Sequence, residues 1–307
     1  MSINIGSKSG VKRLGGVPLL NNSKHPLFTV VTAVFNGAER LESTILSVLS
    51  QGYADVEYII IDGGSTDGTL DILRKYENSI DYWISEPDKG VYDAFNKACR
   101  PVTGEWTIFL GAGDVFYDTE VLALVAEVVR DVSSETEIVY GKVNLTNSAE
   151  MPIETLNLPW HQMSDRWSCG RPMLPHHQGV FHRSHILSVG TPFDTTYGIV
   201  ADSKLLYRSI QRAQPVFCDI LVASASVGGV STDVKYSMAA AKEVARINRE
   251  FGFTNHPHQL WFYSKAIMKA GLNRFGGETV SRFCIDEYRR LTGRQPLRKD
   301  RSKSAVL

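Results

Sequence analysis

Apolar and polar positions follow a regular rhythm between residues 26 and 143. Short apolar runs rich in β-branched residues predict strands, and apolar residues three or four positions apart predict helices. Strands that alternate with helices favour an α/β fold with a mostly parallel sheet and right-handed crossovers. The predicted strands cover residues 27–35, 56–61, 82–84, 106–110 and 137–143, and the predicted helices cover 39–51, 67–76, 91–99 and 119–129.

The rhythm changes after residue 143. Residues 144–175 are rich in proline, tryptophan and methionine and have poor periodicity, so we expect long loops over a site. From residue 235 onward the pattern is helical, with breaks near Pro257 and at Gly276-Gly277. Between these regions the pattern predicts a strand at 178–181, a helix at 202–211 and a strand at 216–223.

Composition narrows the class of protein. Basic and acidic residues balance at 33 each, so no global field argues for nucleic acid as a partner. The hydrophobic content of 43% is that of a soluble globular protein. We find no apolar run long enough to predict a membrane span and no secretory signal in the polar start of the chain. The scattered cysteines favour reduced thiols and a cytoplasmic location.

A glycine-rich turn follows the second predicted strand, which ends in Asp62 and continues into Gly63-Gly-Ser-Thr-Asp67. A buried parallel strand delivers such an acid to the carboxyl edge of the sheet, where ligands of open α/β sheets bind. A carboxylate there suits the N–H and hydroxyl donors of a nucleoside, and the residues after the glycines offer helix caps. The alternative is an ordinary strand–turn–helix connection. An EF-hand loop is excluded, since Gly64 and Leu73 stand where oxygen ligands are needed.

Two more acids stand where elements meet. Asp114 follows the predicted strand 106–110 and the small residues Gly111-Ala-Gly113. One carboxylate and a diphosphate together can hold Mg²⁺ or Mn²⁺, because such ions often keep waters and use few protein ligands. Asp202 stands where a loop enters a helix, as a general base or as an N-cap. For Asp114, too, the alternative is a helix cap.

The stretch Glu86-Pro-Asp-Lys-Gly-Val-Tyr-Asp93 leads into a predicted helix. Lys89 is placed to meet phosphates, and Asp93 is placed to meet a sugar hydroxyl. The same pattern is typical of a capped surface helix. For Lys97, further along this helix, we favour a solvated lysine.

Taken together, these segments resemble the inverting, family 2 nucleotide-sugar glycosyltransferases of GT-A fold, and within them a subgroup that builds bacterial surface polysaccharides. The resemblance is strong over residues 27–130 and weaker to about residue 230. The matching segments are Thr32-Ala-Val-Phe-Asn36, Ser47-Val-Leu-Ser-Gln51, Asp62-Gly-Gly-Ser-Thr-Asp-Gly-Thr69, Ser85-Glu-Pro-Asp-Lys-Gly-Val-Tyr-Asp-Ala-Phe-Asn-Lys97 and Gly104-Glu-Trp-Thr-Ile-Phe-Leu-Gly-Ala-Gly-Asp114.

The resemblance implies a UDP-sugar or other nucleotide-sugar donor, a glycan or lipid-linked acceptor, and Mg²⁺ or Mn²⁺ as cofactor. It implies that Asp202 is the general base and Asp114 the metal ligand. The nucleotide-binding residues are expected to be Thr32, Ala33, Val34, Asn36, Asp62, Gly63, Ser65, Lys89 and Asp93. The acceptor and sugar pocket is expected to include Gly113, His177 and Gln178.

The sequence departs from the family at one point, since Gly111 and Gly113 occupy the earlier acidic positions of its Asp-x-Asp metal motif. This departure keeps a binding protein without catalysis as an alternative. A nucleotidyltransferase is a further alternative, although it usually has a basic, glycine-rich phosphate loop after the first strand. Here that turn has no base before Arg40.

Histidines and tryptophans near the predicted acceptor side allow several interpretations. His176, His177, His182 and His185 lack ligand partners at zinc spacing, so we favour site-facing polar residues, with a core histidine as the alternative. Trp160 and Trp167 suit either stacking on a sugar or packing.

The chain end is basic between residues 289 and 303, which suits an anionic membrane or a packed helix with a solvated end. A location at the inner face of the cell membrane is one consequence. We predict a flexible arm (1–25), a GT-A catalytic domain (26–230) and a helical extension (231–307). The catalytic domain divides into a nucleotide-binding half (26–143) and an acceptor half (144–230).

Overall fold

A computed structural model describes residues 8–11, 27–147, 151–164, 173–227, 236–253 and 257–291. Its strands are β1 (Lys8–Val11), β2 (Phe28–Val34), β3 (Val56–Asp62), β4 (Tyr82–Ser85), β5 (Trp106–Gly111), β6 (Val115–Phe116), β7 (Ile138–Thr146), β8 (Pro152–Leu156), β9 (Val180–Arg183) and β10 (Val216–Ser226). Its helices are α1 (Ala38–Leu49), α2 (Thr69–Tyr76), α3 (Val91–Ala98), α4 (Val121–Asp131), α5 (Trp160–Ser164), α6 (Ala201–Ile210), α7 (Ser237–Glu250) and α8 (Pro257–Leu291).

The strands form one sheet in the order β1-β4-β3-β2-β5-β9-β7-β10-β6, and β8 pairs with β7 beside this path. β4, β3, β2 and β5 are parallel neighbours, and antiparallel β9 joins them to the parallel pair β7 and β10. The register places Val34 opposite Asp62 and Ala33 opposite Gly111. The carboxyl ends of β2, β3 and β5 therefore share one edge, and the α/β prediction is confirmed.

The central strands are buried on both faces, which explains their nearly continuous apolar sequence. Val30 and Ile60 point to the face covered by α1, α2 and α4. Their neighbours Val31 and Ile59 point to the opposite face, which α3, α6 and α7 cover. This alternation fixes α3 and α6, the two helices that bear predicted site residues, on the same side of the sheet.

The stretch 144–175 is more regular than the long loops we expected. β7 extends to Thr146, and β8 forms an antiparallel pair with it, reinforced by a 2.8 Å hydrogen bond from Thr155 Oγ1 to Asn144 Oδ1. Trp160 begins α5 and packs, partly buried, against the core cluster that contains Tyr140. Trp167 lies outside the described residues. Periodicity missed β8 because an edge strand depends on its partner more than on its own pattern.

The C-terminal region is helical, as predicted, and its helical geometry breaks at Gly277 (φ 71°, ψ 178°). At the other end, Lys8–Val11 pairs with β4 at the edge of the sheet. The other residues of the first 25 lie outside the described ranges, so a flexible arm stays a prediction. None of the described helices has the length and apolar character that a membrane span requires.

Candidate active site

Asp62 ends β3 at the shared edge, and its carboxylate is fully buried. Its Oδ2 accepts hydrogen bonds from the backbone N–H groups of Gly64 (3.1 Å) and Ser65 (3.0 Å), and from Ser85 Oγ (2.6 Å). Its Oδ1 accepts from Ser65 Oγ. Gly64 adopts a left-handed conformation (φ 85°) that favours glycine. Asp62 therefore organises the turn at the same place where we expect it to meet a nucleotide.

The turn after β3 is bonded to the turn after β2. The backbone N–H of Asn36 donates to Ser65 Oγ at 2.7 Å, and Thr66 N–H donates to Asn36 Oδ1 at 2.9 Å. Asp67 Oδ2 accepts from the backbone N–H of Ala38 at 3.0 Å, so this acid caps the start of α1 as well as the turn before α2. Two motifs 30 residues apart in the chain thus form one polar network.

The β2 residues predicted to line the base pocket differ in exposure. Thr32 is fully buried and its Oγ1 is 3.1 Å from the hydroxyl of Tyr58. Val34 is also buried, and its carbonyl accepts from the N–H of Gly63 at 2.9 Å. Ala33 is partly exposed. Among these three side chains, Ala33 has the most room to contact a ligand.

Asp88, which the sequence did not single out, lies against the glycine turn. A Cβ on Gly63 would be 2.6 Å from Asp88 Oδ2, so a larger residue at position 63 would force a shift. Burial raises the pKa of Asp88, and hydrogen bonding from Gly90 N–H opposes this effect. The predicted nucleotide edge therefore has a second carboxylate beside Asp62.

Lys97 is ion-paired rather than solvated, which corrects our expectation. Its Nζ is 3.0 Å from Glu86 Oε1 and 3.7 Å from Asp93 Oδ2, and 16% of its side chain is exposed. Asp93 Oδ2 also accepts from the backbone N–H of Lys89 at 3.1 Å, which closes the loop before α3. The Lys89 side chain is exposed and has no ion pair among the described residues.

Asp114 follows β5, and only 8% of the residue is exposed. Its Oδ2 accepts hydrogen bonds from the N–H of Gly111 (3.0 Å) and from the amide of Gln178 (3.2 Å). Burial raises the pKa of Asp114 to about 6, although these hydrogen bonds act in the opposite direction. The adjacent Gly113 has φ 101° and leaves room for the Arg40 side chain. Asp114 is therefore a buried acid whose ionised form is poorly compensated by the protein.

The segment His176–Gln178 connects Asp114 with Asp202. Gln178 bonds to Asp114, and the charge of Asp202 acts on both histidines, whose pKa values burial lowers more strongly than this charge raises them. His177 stacks on Phe109 with ring centroids 5.3 Å apart, and its buried nitrogens have no hydrogen bond among the described residues. His177 has the surroundings of a core histidine, whereas Gln178 faces the acid.

Asp202 lies in the first turn of α6. Its Oδ1 accepts from the N–H of Ser203 at 2.8 Å and from the hydroxyl of Tyr92 at 3.0 Å. Its Oδ2 has no hydrogen bond within the described part of the chain. The N-cap position belongs to Val200, so the alternative of Asp202 as N-cap is wrong. One oxygen of Asp202 is fixed and the other is available to accept a proton.

The donor set can be tested against the implied divalent cation. In the described ranges no group of three or more His, Cys, Asp or Glu side chains is arranged to hold a metal. Asp114 nevertheless provides a buried carboxylate with unbalanced charge, as its raised pKa indicates. A single such ligand fits Mg²⁺ or Mn²⁺ that takes its other ligands from a diphosphate and water. Because Gly111 and Gly113 offer no side-chain ligand, the fit depends on Asp114.

Sequence reasoning missed Asp88 and Tyr92, although both belong to the stretch Glu86–Asp93 that it singled out. Tyr92 stands at a helical position whose spacing indicates packing, and no local pattern reveals its contact with Asp202, 110 residues later. Asp88 looks like a turn residue before a helix. Contacts between segments that are distant in the sequence give both residues their place in the site.

The fold and the acids at one sheet edge are those of a GT-A-type α/β protein. Similarity to known proteins identifies its family. Residues 29–188 match the family described as glycosyl transferase family 2. The PGL/p-HBAD biosynthesis glycosyltransferase of Mycobacterium tuberculosis is 30% identical over 217 residues, which cover 68% of this chain and 80% of the relative. The chain belongs to glycosyl transferase family 2.

Further similarities agree with this assignment. The putative teichuronic acid biosynthesis glycosyltransferase TuaG of Bacillus subtilis is 41% identical over 93 residues, or 29% of this chain and 36% of TuaG. S. aureus TarS 1-349 in complex with UDP has a TM-score of 0.52 at 16% identity, over 81% of this chain and 72% of that chain. The mannosyltransferase PcManGT from Pyrobaculum calidifontis, in complex with GDP-Man and Mn²⁺, has a TM-score of 0.58 at 16% identity, over 89% and 82%. The two structures confirm the GT-A fold.

Proposed function

We propose that the protein is a metal-assisted, inverting glycosyltransferase that moves a sugar from a UDP-sugar, or another nucleotide-sugar, to a hydroxyl of a glycan or lipid-linked acceptor. One observation supports this above the others. Two carboxylates in different environments, Asp114 and Asp202, both border the short segment His176–Gln178. Asp114 is buried and suited to bind a cation, and Asp202 has an oxygen without a hydrogen bond among the described residues, which is suited to accept a proton.

In the proposed reaction, Asp202 Oδ2 accepts the proton of the acceptor hydroxyl. The acceptor oxygen then forms a bond to the anomeric carbon from the face opposite the leaving group. The bond between that carbon and the diphosphate oxygen breaks, and the nucleoside diphosphate leaves with the electron pair. A single displacement of this kind inverts the anomeric configuration. A positioned general base contributes typically about 10²–10⁴-fold to the rate.

Asp114 is the proposed ligand of Mg²⁺ or Mn²⁺. Such a cation, when bound, offsets the negative charge that develops on the departing diphosphate. The amide of Gln178 orients the Asp114 carboxylate through its 3.2 Å hydrogen bond. Gly113 has no side chain, and the Arg40 side chain lies beside it, so Gly113 is proposed to contribute only its backbone to the sugar pocket.

The donor base and ribose are proposed to bind at the interlocked turns. Asp62, Ser65 and Asn36 fix the shape of this end, and the backbone of residues 32–34 and Gly63 provides its wall. Asp93 shapes the neighbouring loop. The exposed Lys89 provides a cation for the phosphates.

The names of the relatives support the setting. They refer to PGL/p-HBAD biosynthesis and teichuronic acid biosynthesis, which supports a role in bacterial surface polysaccharide biosynthesis. The cytoplasmic location expected from the cysteines is part of the same proposal. The solved neighbours are complexes with UDP and with GDP-Man and Mn²⁺, which supports a nucleotide-sugar donor and a divalent cation. The domain boundaries at residues 25 and 230 are part of the same proposal.

Contact with the inner face of the membrane is proposed for the C-terminal end. Phe275 and Leu291 of α8 are 89% and 86% exposed, and the basic residues 294–303 follow in the sequence. Arg289 and Arg290 are paired with Glu154 and Glu287, so the proposed contact depends on the residues beyond them. Sedimentation with anionic liposomes tests this proposal, and binding that survives removal of residues 292–307 would contradict it.

The activity is tested with a panel of UDP-, GDP- and dTDP-sugars, each with Mn²⁺ or with a chelator. We expect one donor class to raise the unfolding temperature and to release nucleoside diphosphate in the presence of Mn²⁺. A ligand at 100 times its Kd stabilises the folded state by about 2.7 kcal/mol. Binding without any turnover, with suitable acceptors present, would favour the alternative of a non-catalytic binding protein, which Gly111 and Gly113 keep open.

A further inference from the structure

The helical C-terminal region reaches the loop that bears the proposed base. The carboxylate of Glu243, in α7, accepts hydrogen bonds from the backbone N–H groups of Gly198 (2.8 Å), Ile199 (2.9 Å) and Val200 (3.2 Å). These residues lie immediately before α6, whose first turn contains Asp202. One side chain from a distant part of the chain therefore satisfies three donors next to the candidate base.

The local sequence does not provide this cap. The first N–H groups of a helix have no partner within it, and an anion there is favoured by the helix dipole. Val200 occupies the N-cap position of α6 and offers no capping side chain. Glu243 therefore provides, from α7, the acceptor for the N–H groups of the last three residues before α6, next to the acid in its first turn.

A second contact holds the same segment from the opposite side. The hydroxyl of Tyr92, in α3, is 2.6 Å from the carbonyl oxygen of Ile199 and 3.0 Å from Asp202 Oδ1. Tyr92 is buried and stacked on Phe193 with ring centroids 5.9 Å apart. The segment 198–202 is thus held between α3, which begins at the nucleotide edge, and α7.

Other contacts of α7 strengthen this attachment. Glu250 Oε2 is 2.6 Å from Lys204 Nζ, and Glu250 Oε1 accepts a hydrogen bond from the Tyr197 hydroxyl. The guanidinium of Arg246 lies 4.2 Å from the centre of the Tyr197 ring. On both sides of Asp202 the chain is therefore bonded to the same helix.

We infer that α7 helps to position the candidate base. Glu243 of α7 and Tyr92 of α3 are positioning residues for Asp202. Tyr92 contacts Oδ1, and Glu243 fixes the backbone immediately before α6, which leaves Oδ2 free to receive the proton of the acceptor. A displacement of a reacting group by about 1 Å can cost about 10²-fold in rate. This inference rests on the proposed function, because it assigns the base role to Asp202.

The test compares Glu243→Gln and Tyr92→Phe with the control Lys242→Gln, which alters an exposed neighbour on α7. For each protein we measure kcat with saturating donor and acceptor, the equilibrium Kd of the best donor from the panel, and thermal unfolding. We expect the two variants to lose ten- to hundredfold in kcat while the donor Kd stays within twofold of the wild type. The control is expected to match the wild type in both quantities.

Two results would overturn the inference: an unchanged kcat in both variants, or a loss of kcat that is matched by an equal weakening of donor binding. Tyr92→Phe keeps the ring and carries the test if Glu243→Gln unfolds. Asp202→Asn distinguishes a failure of this inference from a failure of the proposed function. If Asp202→Asn is inactive while Glu243→Gln and Tyr92→Phe are fully active, this inference alone is wrong, whereas full turnover of Asp202→Asn removes the proposed base itself.

Discussion

The candidate site has a nucleotide end around Asp62 and a reacting end around Asp114 and Asp202. The two ends differ in how far the protein itself satisfies their carboxylates. At the nucleotide end, Asp62 is fully buried, and its carboxylate accepts hydrogen bonds from the following turn and from β4, chiefly from Ser65 and Ser85. At the reacting end, Asp114 is a buried acid with a raised pKa, and Asp202 has one oxygen without a hydrogen bond in the described chain. The Asp62 carboxylate is thus paired within the protein, whereas Asp114 and Asp202 can still bind a cation and a proton.

This difference reflects what each end has to do. A binding end gains from polar groups that are already paired, because they hold its shape without reorganisation when the ligand arrives. A reacting end needs groups that interact more strongly with the transition state than with the resting protein. Each of the following predictions tests one side of this contrast.

The largest effect is expected for Asp202→Asn. Removal of the proton acceptor should lower kcat by about 10²–10⁴-fold, while the Kd of the donor stays near that of the wild type. Steady-state kinetics and calorimetric titration measure the two quantities, with Asp131→Asn, on the exposed end of α4, as control. Wild-type turnover in Asp202→Asn would place the base elsewhere.

The second prediction concerns pH and the buried Asp114. Since burial raises its folded pKa to about 6 from the ordinary value of 3.8, the folded protein holds this proton more tightly than the unfolded chain does. The free energy of unfolding of the wild type, relative to Asp114→Asn, should therefore decrease as the pH rises from about 4 through about 6. The total decrease is at most about 3 kcal/mol.

Denaturant unfolding of both proteins between pH 4 and 7.5 in chelator measures this difference. Because Asn does not titrate, the difference between the two proteins cancels the contributions of all other titrating groups. A difference that is independent of pH would show that Asp114 is well compensated, and the contrast between the two ends would then disappear.

The third prediction concerns Ser65→Ala at the nucleotide end. The change leaves Asp62 Oδ1 and the N–H of Asn36 without the partner they share. Loss of such buried hydrogen bonds costs about 1–3 kcal/mol, so the unfolding free energy and the donor affinity should both fall while kcat at saturation is retained. Ser43→Ala, at an exposed position of α1, is the matched control. A reduced kcat with normal affinity would move Ser65 to the reacting end.

The smallest effect is expected for Lys89→Ala. An exposed cation that meets phosphates contributes less than about 1 kcal/mol, so donor affinity should weaken by about fivefold or less, and the effect should shrink at high salt. Titrations at low and high ionic strength check this, with Lys242→Ala as control for a lost surface charge. Equal behaviour of the two variants would remove Lys89 from the donor site.

The nucleotide end was the more predictable of the two. The apolar run before Asp62, its glycines and the hydroxyl residues after them are consecutive, so a local pattern indicates both the strand end and the turn. The pairing of Ser65 with Asn36 was not predicted, since it joins two turns that only the parallel register of β2 and β3 brings together. Lys97 was misjudged because its partner Glu86 lies across a loop that folds back on α3.

By itself, the sequence determined the order of strands and helices between residues 27 and 143 except for the two-residue strand β6, the α/β class and the positions of the three acids after strand or loop ends. These properties follow from hydrophobic periodicity and from turn chemistry, which act over a few residues. Only the tertiary structure decided which oxygen of Asp202 is free, that Gln178 rather than His177 faces Asp114, and that Glu243 supports the start of α6. Those properties depend on burial and on contacts between residues 40 to 110 positions apart, which no local pattern encodes.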